Sequence, residues 1–306
     1  MKISTSQFFE NATNQMGTVM SDLSKAQTQL TTGKKINQAS DAPNLATSLQ
    51  RIRSMISQQE SYQTNLNTVK DRLSLQDATL RNVSGLLIRL KELSIQGANG
   101  VMGAKQRETL AVEVSGIKDQ LLALANARDP NGNALFAGSR VQLDAYGANE
   151  DGEIVFMGDE VSNQAPVGEA RSVNNRRSGA SIFLSVVRGE GADATRVGFF
   201  QVIEDMANAL KNNDRLAMER AISESDKLAE GVALAQAAVG ADMTVAESQT
   251  RVLEEDLLRL RTLLSENQDV DYTEAITQMK KQMTALEAAQ SSFSQISRMS
   301  LFSYLN

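Results

Sequence analysis

From residue 44 to residue 96 the chain holds no proline, and its apolar residues recur every three or four positions. The series runs Leu45, Leu49, Ile52, Ile56, Gln59, Tyr62, Leu66, Val69, Leu73, Gln76, Leu80, Val83, Leu87 and Leu90. Steps of three and four place one stripe on one helix face, where it can meet a neighbouring helix. Proline would break the ladder of backbone hydrogen bonds, and the sequence contains only Pro43, Pro130 and Pro166. The spacing therefore predicts a helix of about 50 residues, roughly 75 Å long. An element of that length suits a bundle of long helices rather than a ball.

The same stepping recurs at both ends. Phe9, Ala12, Met16, Val19, Leu23, Ala26 and Leu30 alternate steps of three and four over about residues 6–30. This is the heptad seam of a helix lying along another helix. Gly33 stands where a C-terminal cap belongs. Near the other end Ile276, Met279, Met283, Leu286, Ala289 and Phe293 form a second seam, which Ile296, Leu301, Phe302 and Leu305 extend. Two further stripes lie between: Leu110, Val114, Ile117, Leu121 and Leu124 in a helix over about 104–128, and Leu228 to Leu264 in one over about 214–264. A shorter helix is expected over about 199–211. The polar stretch TTGKKINQASDAPN reads as a connector, with Ser40 or Asp41 capping the long helix and Pro43 in its first turn. From about 134 to 197 glycine is dense, and GEIVFMG and SIFLSVV are β-branched and aromatic, which predicts small hairpins.

The expected fold class is thus mainly α: an elongated antiparallel helical bundle or coiled coil of long helices from both termini, with a small β-rich insert in the middle. Four regions follow. Residues 1–32 with 272–306 form a terminal coiled-coil domain, and 33–43 and 265–271 are linkers. Residues 44–136 with 198–264 form a rod of long helices, and 137–197 form the small outer domain. First pairs with last and second with second-last. A lone pair of end helices has few neighbours, so its burial does not repay the entropy of ordering it. The ends are expected to be disordered in the monomer and to order on assembly.

Composition narrows the function. There is no Cys and no His among 306 residues, which removes thiol nucleophiles, disulfides, the usual zinc ligands and the usual base near neutral pH. A net charge of −6 argues against a nucleic-acid partner. No apolar run approaches the roughly 18 residues of a membrane span. The opening MKISTSQFFENATNQMG lacks the apolar stretch of a secretory leader, so export would need another route. DPNGN (129–133) has glycine out of register for a calcium loop and no bidentate Glu, so it reads as a turn. Asp269, Asp271 and Glu274 read as a cluster opening the last helix, where carboxylates meet the positive end of the helix dipole. Asn174, Asn175, Arg176 and Arg177 read as a solvated loop, and GEGADA lacks the spacing of a phosphate loop. NAT at Asn11 and NVS at Asn82 match the glycan acceptor but lie on expected helices. No enzyme, cofactor or metal site is expected.

Several stretches carry a resemblance. MKIST, LTTGKKINQASDAPNLATSLQ (30–50), GNALFAGS (132–139), AAVGADMTVAE (237–247), DVDYTEAITQM (269–279) and the final SLFSYLN, in that order, resemble the flagellin superfamily of bacteria. The resemblance covers about 140 N-terminal and 90 C-terminal residues. MKIST and SLFSYL look more like the subunits joining hook to filament than like filament flagellins, which are the alternative. It implies export through the type III channel, then self-assembly into a ring of protofilaments outside the cell. The implied partners are other copies, the first hook-associated junction protein, flagellin and an export chaperone. It also implies an N-terminal assembly interface of Phe9, Met16, Val19, Leu23 and Leu30. The C-terminal interface, shared with the chaperone, would be Ile276, Met279, Met283, Leu286, Phe293, Ile296, Leu301, Phe302 and Leu305. Without the resemblance, a cytosolic coiled-coil adapter fits the same stripes.

Overall fold

The computed structural model describes residues 2–189 and 194–305, apart from the side chains of 2–6, 8 and 296–305. The elements follow in the order α1 (Lys2–Thr32), α2 (Pro43–Gly97), α3 (Ala104–Ala125), β1 (Tyr146–Ala148), β2 (Ile154–Phe156), β3 (Gln164–Pro166), β4 (Ser172–Asn174), β5 (Val186–Arg188), β6 (Thr195–Val197), α4 (Phe199–Asn212), α5 (Arg215–Gln268) and α6 (Tyr272–Leu305). The fold is mainly α, with long helices from both ends and a small sheet insert between them. Contacts divide it into two compact units, residues 1–58 with 255–306 and residues 59–254. α2 and α5 contribute to both.

In the unit of residues 59–254 the stripe of α2 becomes core. Leu66, Val69, Leu73, Leu80, Val83, Leu87, Leu90 and Leu93 are all fully buried. Here α2 and α5 run antiparallel, tied by Lys91–Asp226 at 2.6 Å and by the contact of the Ser94 and Ser225 hydroxyls at 3.3 Å. Leu228, Val232, Ala235, Val239, Ala246 and Leu253 supply the α5 side. α3 packs on α4, which buries Phe199, Phe200, Val202, Ile203, Met206 and Leu210. The buried positions keep the helical spacing read from the sequence, because only one face of each helix can meet the others.

The insert consists of three antiparallel two-stranded hairpins, β1–β2, β3–β4 and β5–β6. Aromatic residues are scarce, yet Phe136, Tyr146, Phe156, Phe183, Phe199 and Phe200 gather where the insert meets α4. Their rings are 5.1 to 6.2 Å apart and mostly edge to face, so one compact core forms without tryptophan. Arginines fix the hairpins to the helices. Arg188 binds Glu224 at 2.6 Å and Asp205 at 2.5 Å; Arg72 binds Asp129 at 3.1 Å and the Ala134 carbonyl at 2.9 Å. Arg177 pairs with Asp242 on α5.

The hairpins are there, but SIFLSVV supplies strand only at its end: Ser181 closes a 3-10 turn, Ile182 and Phe183 turn into the core, and Val186 and Val187 enter β5. The pull of Phe183 into the aromatic cluster outweighs the β propensity of its neighbours. Two local expectations need correction. Asn174 to Arg177 are half-buried rather than solvated, because β4 ends at Asn174 and Arg177 must reach Asp242. Asp41 does not cap α2. Its carboxylate accepts from the amides of Asn37 (3.1 Å) and Gln38 (2.9 Å), and the carbonyl of Ala42 takes the first amides of α2.

Candidate functional site: the paired terminal helices

The side chains singled out at both ends of the sequence lie in the unit of residues 1–58 and 255–306. α1 packs along α6. The two seams face each other, with Phe9 edge-on to Phe293 at 5.3 Å between ring centres. Beside this contact runs a groove of about 410 Å³ lined by Ala12, Met16, Val19, Ala285, Ala289 and Phe293, with Asn11, Gln15 and Ser292 at its polar edges.

The packing is thin. Phe9, Met16, Val19, Leu23, Leu30, Met279, Leu286 and Phe293 are half-buried. Ile276 and Met283 are 41% and 43% exposed. They stand seven residues apart and so share one face of α6. Among the described residues, Ala26 alone in α1 and Ala275 alone in α6 are buried. From Leu66 to Leu93 the α2 stripe in the other unit is buried throughout. One neighbour covers one flank of a helix; a seam on a two-helix pair stays partly wet, and each side chain still has apolar area to remove from water. The side chains of Ile296, Leu301, Phe302 and Leu305 lie outside the described residues.

A clasp closes this pair. Gly33 ends α1 with φ +69°, and its amide donates to the Gln29 carbonyl at 2.9 Å. The two connectors then pair antiparallel at Lys34 and Asp269. The Lys35 amide donates to the Gln268 carbonyl at 2.7 Å, and the Val270 amide to the Gly33 carbonyl at 3.0 Å. The side chain of Gln29 adds a bond to the Lys35 carbonyl at 2.8 Å. A Cβ at position 33 would lie 2.9 Å from the Tyr272 hydroxyl. Asp271 then caps α6, accepting from Thr273 at 2.8 Å and Glu274 at 3.2 Å, as the acidic cluster suggested. The Gln38 amide, then that of Asn37, holds the Asp41 carboxyl below the usual carboxylate range. Sequence reasoning found Gly33 and Asp271 but not the clasp, whose bonds are mostly backbone to backbone and leave no residue-type signature.

Among the described residues no group of three or more acidic side chains could hold a metal ion, and no helix is long and apolar enough to cross a membrane. What the terminal helices offer is half-covered apolar surface on a clasped scaffold.

The family is read from both ends. A family model described as "Bacterial flagellin N-terminal helical region" matches residues 3–141, and "Bacterial flagellin C-terminal helical region" matches 222–305. The chain belongs to the flagellin family. Among curated flagellin-family relatives, "Flagellar hook-associated protein 3" of Salmonella typhimurium is 26% identical, over 99% of this chain and 99% of its own. The protein of the same name from Escherichia coli is 25% identical with the same coverage. Flagellin FlaB1 of Treponema pallidum is 32% identical but over 36% of this chain. The fold is that of flagellar hook-associated protein 3 from Legionella pneumophila, with a TM-score of 0.66 and 17% identity. That match covers 98% of the Legionella chain and 71% of this one.

Proposed function

We propose that this chain is a structural subunit of the junction between hook and filament, built in by self-assembly of its terminal helices. One observation carries the choice over a filament flagellin. The two relatives named hook-associated protein 3 align over 99% of both chains, whereas the flagellins FlaB1 of Treponema pallidum and Flagellin B of Vibrio anguillarum align over 36% and 44% of this chain. The role needs surfaces and no catalytic group, which agrees with a sequence free of Cys and His.

On this reading α1 and α6 are the assembly surface. Phe9, Met16, Val19, Leu23 and Leu30 on one helix, and Ile276, Met279, Met283, Leu286 and Phe293 on the other, complete their burial against other copies. Ile296, Leu301, Phe302 and Leu305 extend that surface. The half-exposure of these seams supports it. Before assembly the terminal helices are marginal, the subunit travels unfolded through the type III channel, and an export chaperone covers the α6 segment. Outside the cell the neighbours are further copies, the first hook-associated junction protein and flagellin. The four-region division proposed from the sequence follows the same logic, with 1–32 and 272–306 ordering on assembly.

Deleting the gene tests the role. Cells should keep intact hooks bearing the first junction protein and shed flagellin monomers into the medium. Attached filaments of normal length in that strain would contradict it.

A further inference from the structure

The insert carries a basic cavity and, on another hairpin, an acidic tip. The cavity holds about 390 Å³ and is lined by Asn174, Arg176, Arg177, Ser162, Ser178 and Ser181, with Glu160 at its rim. Arg177 is matched by Asp242 and by the Ala238 carbonyl at 3.2 Å. Arg176 differs: among the described residues it makes no hydrogen bond or ion pair, and its Nε is buried without a partner. The Nε of Arg177 and Oδ1 of Asn174 are likewise buried and unpartnered. The charge beside Arg176 is another guanidinium, that of Arg72, already paired with Asp129. A half-buried cation next to a second cation, with no carboxylate of its own, is an unfinished ion pair.

The acidic tip is the β1–β2 turn, Asn149 to Glu153. The side chain of Asn149 accepts from the amides of Asp151 (3.1 Å) and Glu153 (2.8 Å), and Gly152 takes φ +81°. The turn is therefore set in one shape, and Glu150, Asp151 and Glu153 all point to solvent. None of them lines the cavity.

We propose that the acidic tip of one copy enters the basic cavity of the next, so that Glu150 and Asp151 complete the ion pair of Arg176. The partner is a second copy because charge complementarity between the two features lies within this one insert. Tip and cavity are different patches, which is what a head-to-tail contact propagating along a ring requires. Desolvated, hydrogen-bonded charge pairs of this kind give specificity and register. The inference rests on the proposed self-assembly and adds a contact that the terminal helices do not make.

The absence of cysteine gives a clean test. Glu153→Cys and Ser162→Cys, both at exposed positions, are placed together in the full-length chain, expressed in the motile cell, and flagella are isolated and oxidised. Because Glu150 and Asp151 keep their carboxylates, the expected result is a ladder of disulfide-linked multimers, absent from either single variant, and lost when Arg176→Glu is added. No ladder in flagella that contain the protein would overturn the inference and leave the junction role standing. A ladder that Arg176→Glu leaves unchanged would also overturn it, since proximity would then owe nothing to charge. If the parent chain is missing from flagella altogether, both readings fail.

Discussion

At the scale of single residues, burial separates two kinds of apolar stripe that look alike in sequence. Leu87 is fully buried, while Met16 is half-covered in a two-helix pair. Leu87→Ala removes packed methyl groups and leaves a cavity, which costs about 3 kcal/mol. The prediction is a lowered urea midpoint for the main unfolding transition in Leu87→Ala, and an unmoved one in Met16→Ala. Titration gives a second residue-scale prediction. The hydroxyl and then the amide of Ser139 hold the Asp159 carboxyl below its usual range. Burial pushes the Asp129 carboxyl up, but the amide and side chain of Asn133 outweigh it and the net shift is downward. A carboxyl depressed in the folded state stabilises it above the unfolded value near 3.9, and that contribution is lost as pH falls through the lowered folded value. With no histidine to titrate, stability should be level from about pH 5 to 7 and fall below about pH 4. Denaturation midpoints across that range check it; a transition centred near pH 6.5 would contradict it.

At the scale of elements, the clasp between the connectors is the joint on which the α1–α6 pair depends. Gly33→Ala meets two obstacles: a left-handed φ that disfavours a side chain, and the Tyr272 hydroxyl in the way. A loss of about 1 kcal/mol is expected from the backbone alone. In full-length protein this should speed protease cleavage in residues 30–43 and 265–275, without changing the stability of residues 59–254. Helices of this chain were legible because each exposes one face to one kind of neighbour, so a stripe of Leu, Ile and Val is sufficient notice. The ends of α1 and α6 were legible through Gly33 and Asp271, whose chemistry is local. The β3–β4 hairpin was not, since QAP and SVN carry little β-branched signal and Pro166 argues against a strand. Nor was the half-burial of Arg177, because it follows from a carboxylate 65 residues away on α5. The seam residues of the terminal helices were nameable from spacing; how much of each stays exposed required the pair itself.

At the scale of the whole molecule, residues 59–254 form a well-buried unit, while the seams of the terminal helices are half-covered. Cooperative stability should differ accordingly, since regions with few buried apolar contacts open at the lowest free energy. On the proposed self-assembly, other copies supply the missing burial. Hydrogen exchange read by mass spectrometry, on monomeric full-length protein and again on the assembled junction, measures it directly. The account predicts near-unprotected amides across residues 6–30 and 275–303 in the monomer, strong protection across the α2 and α5 segments of 59–254, and protection throughout once assembled. Strong protection of 6–30 and 275–303 in the isolated monomer would contradict it.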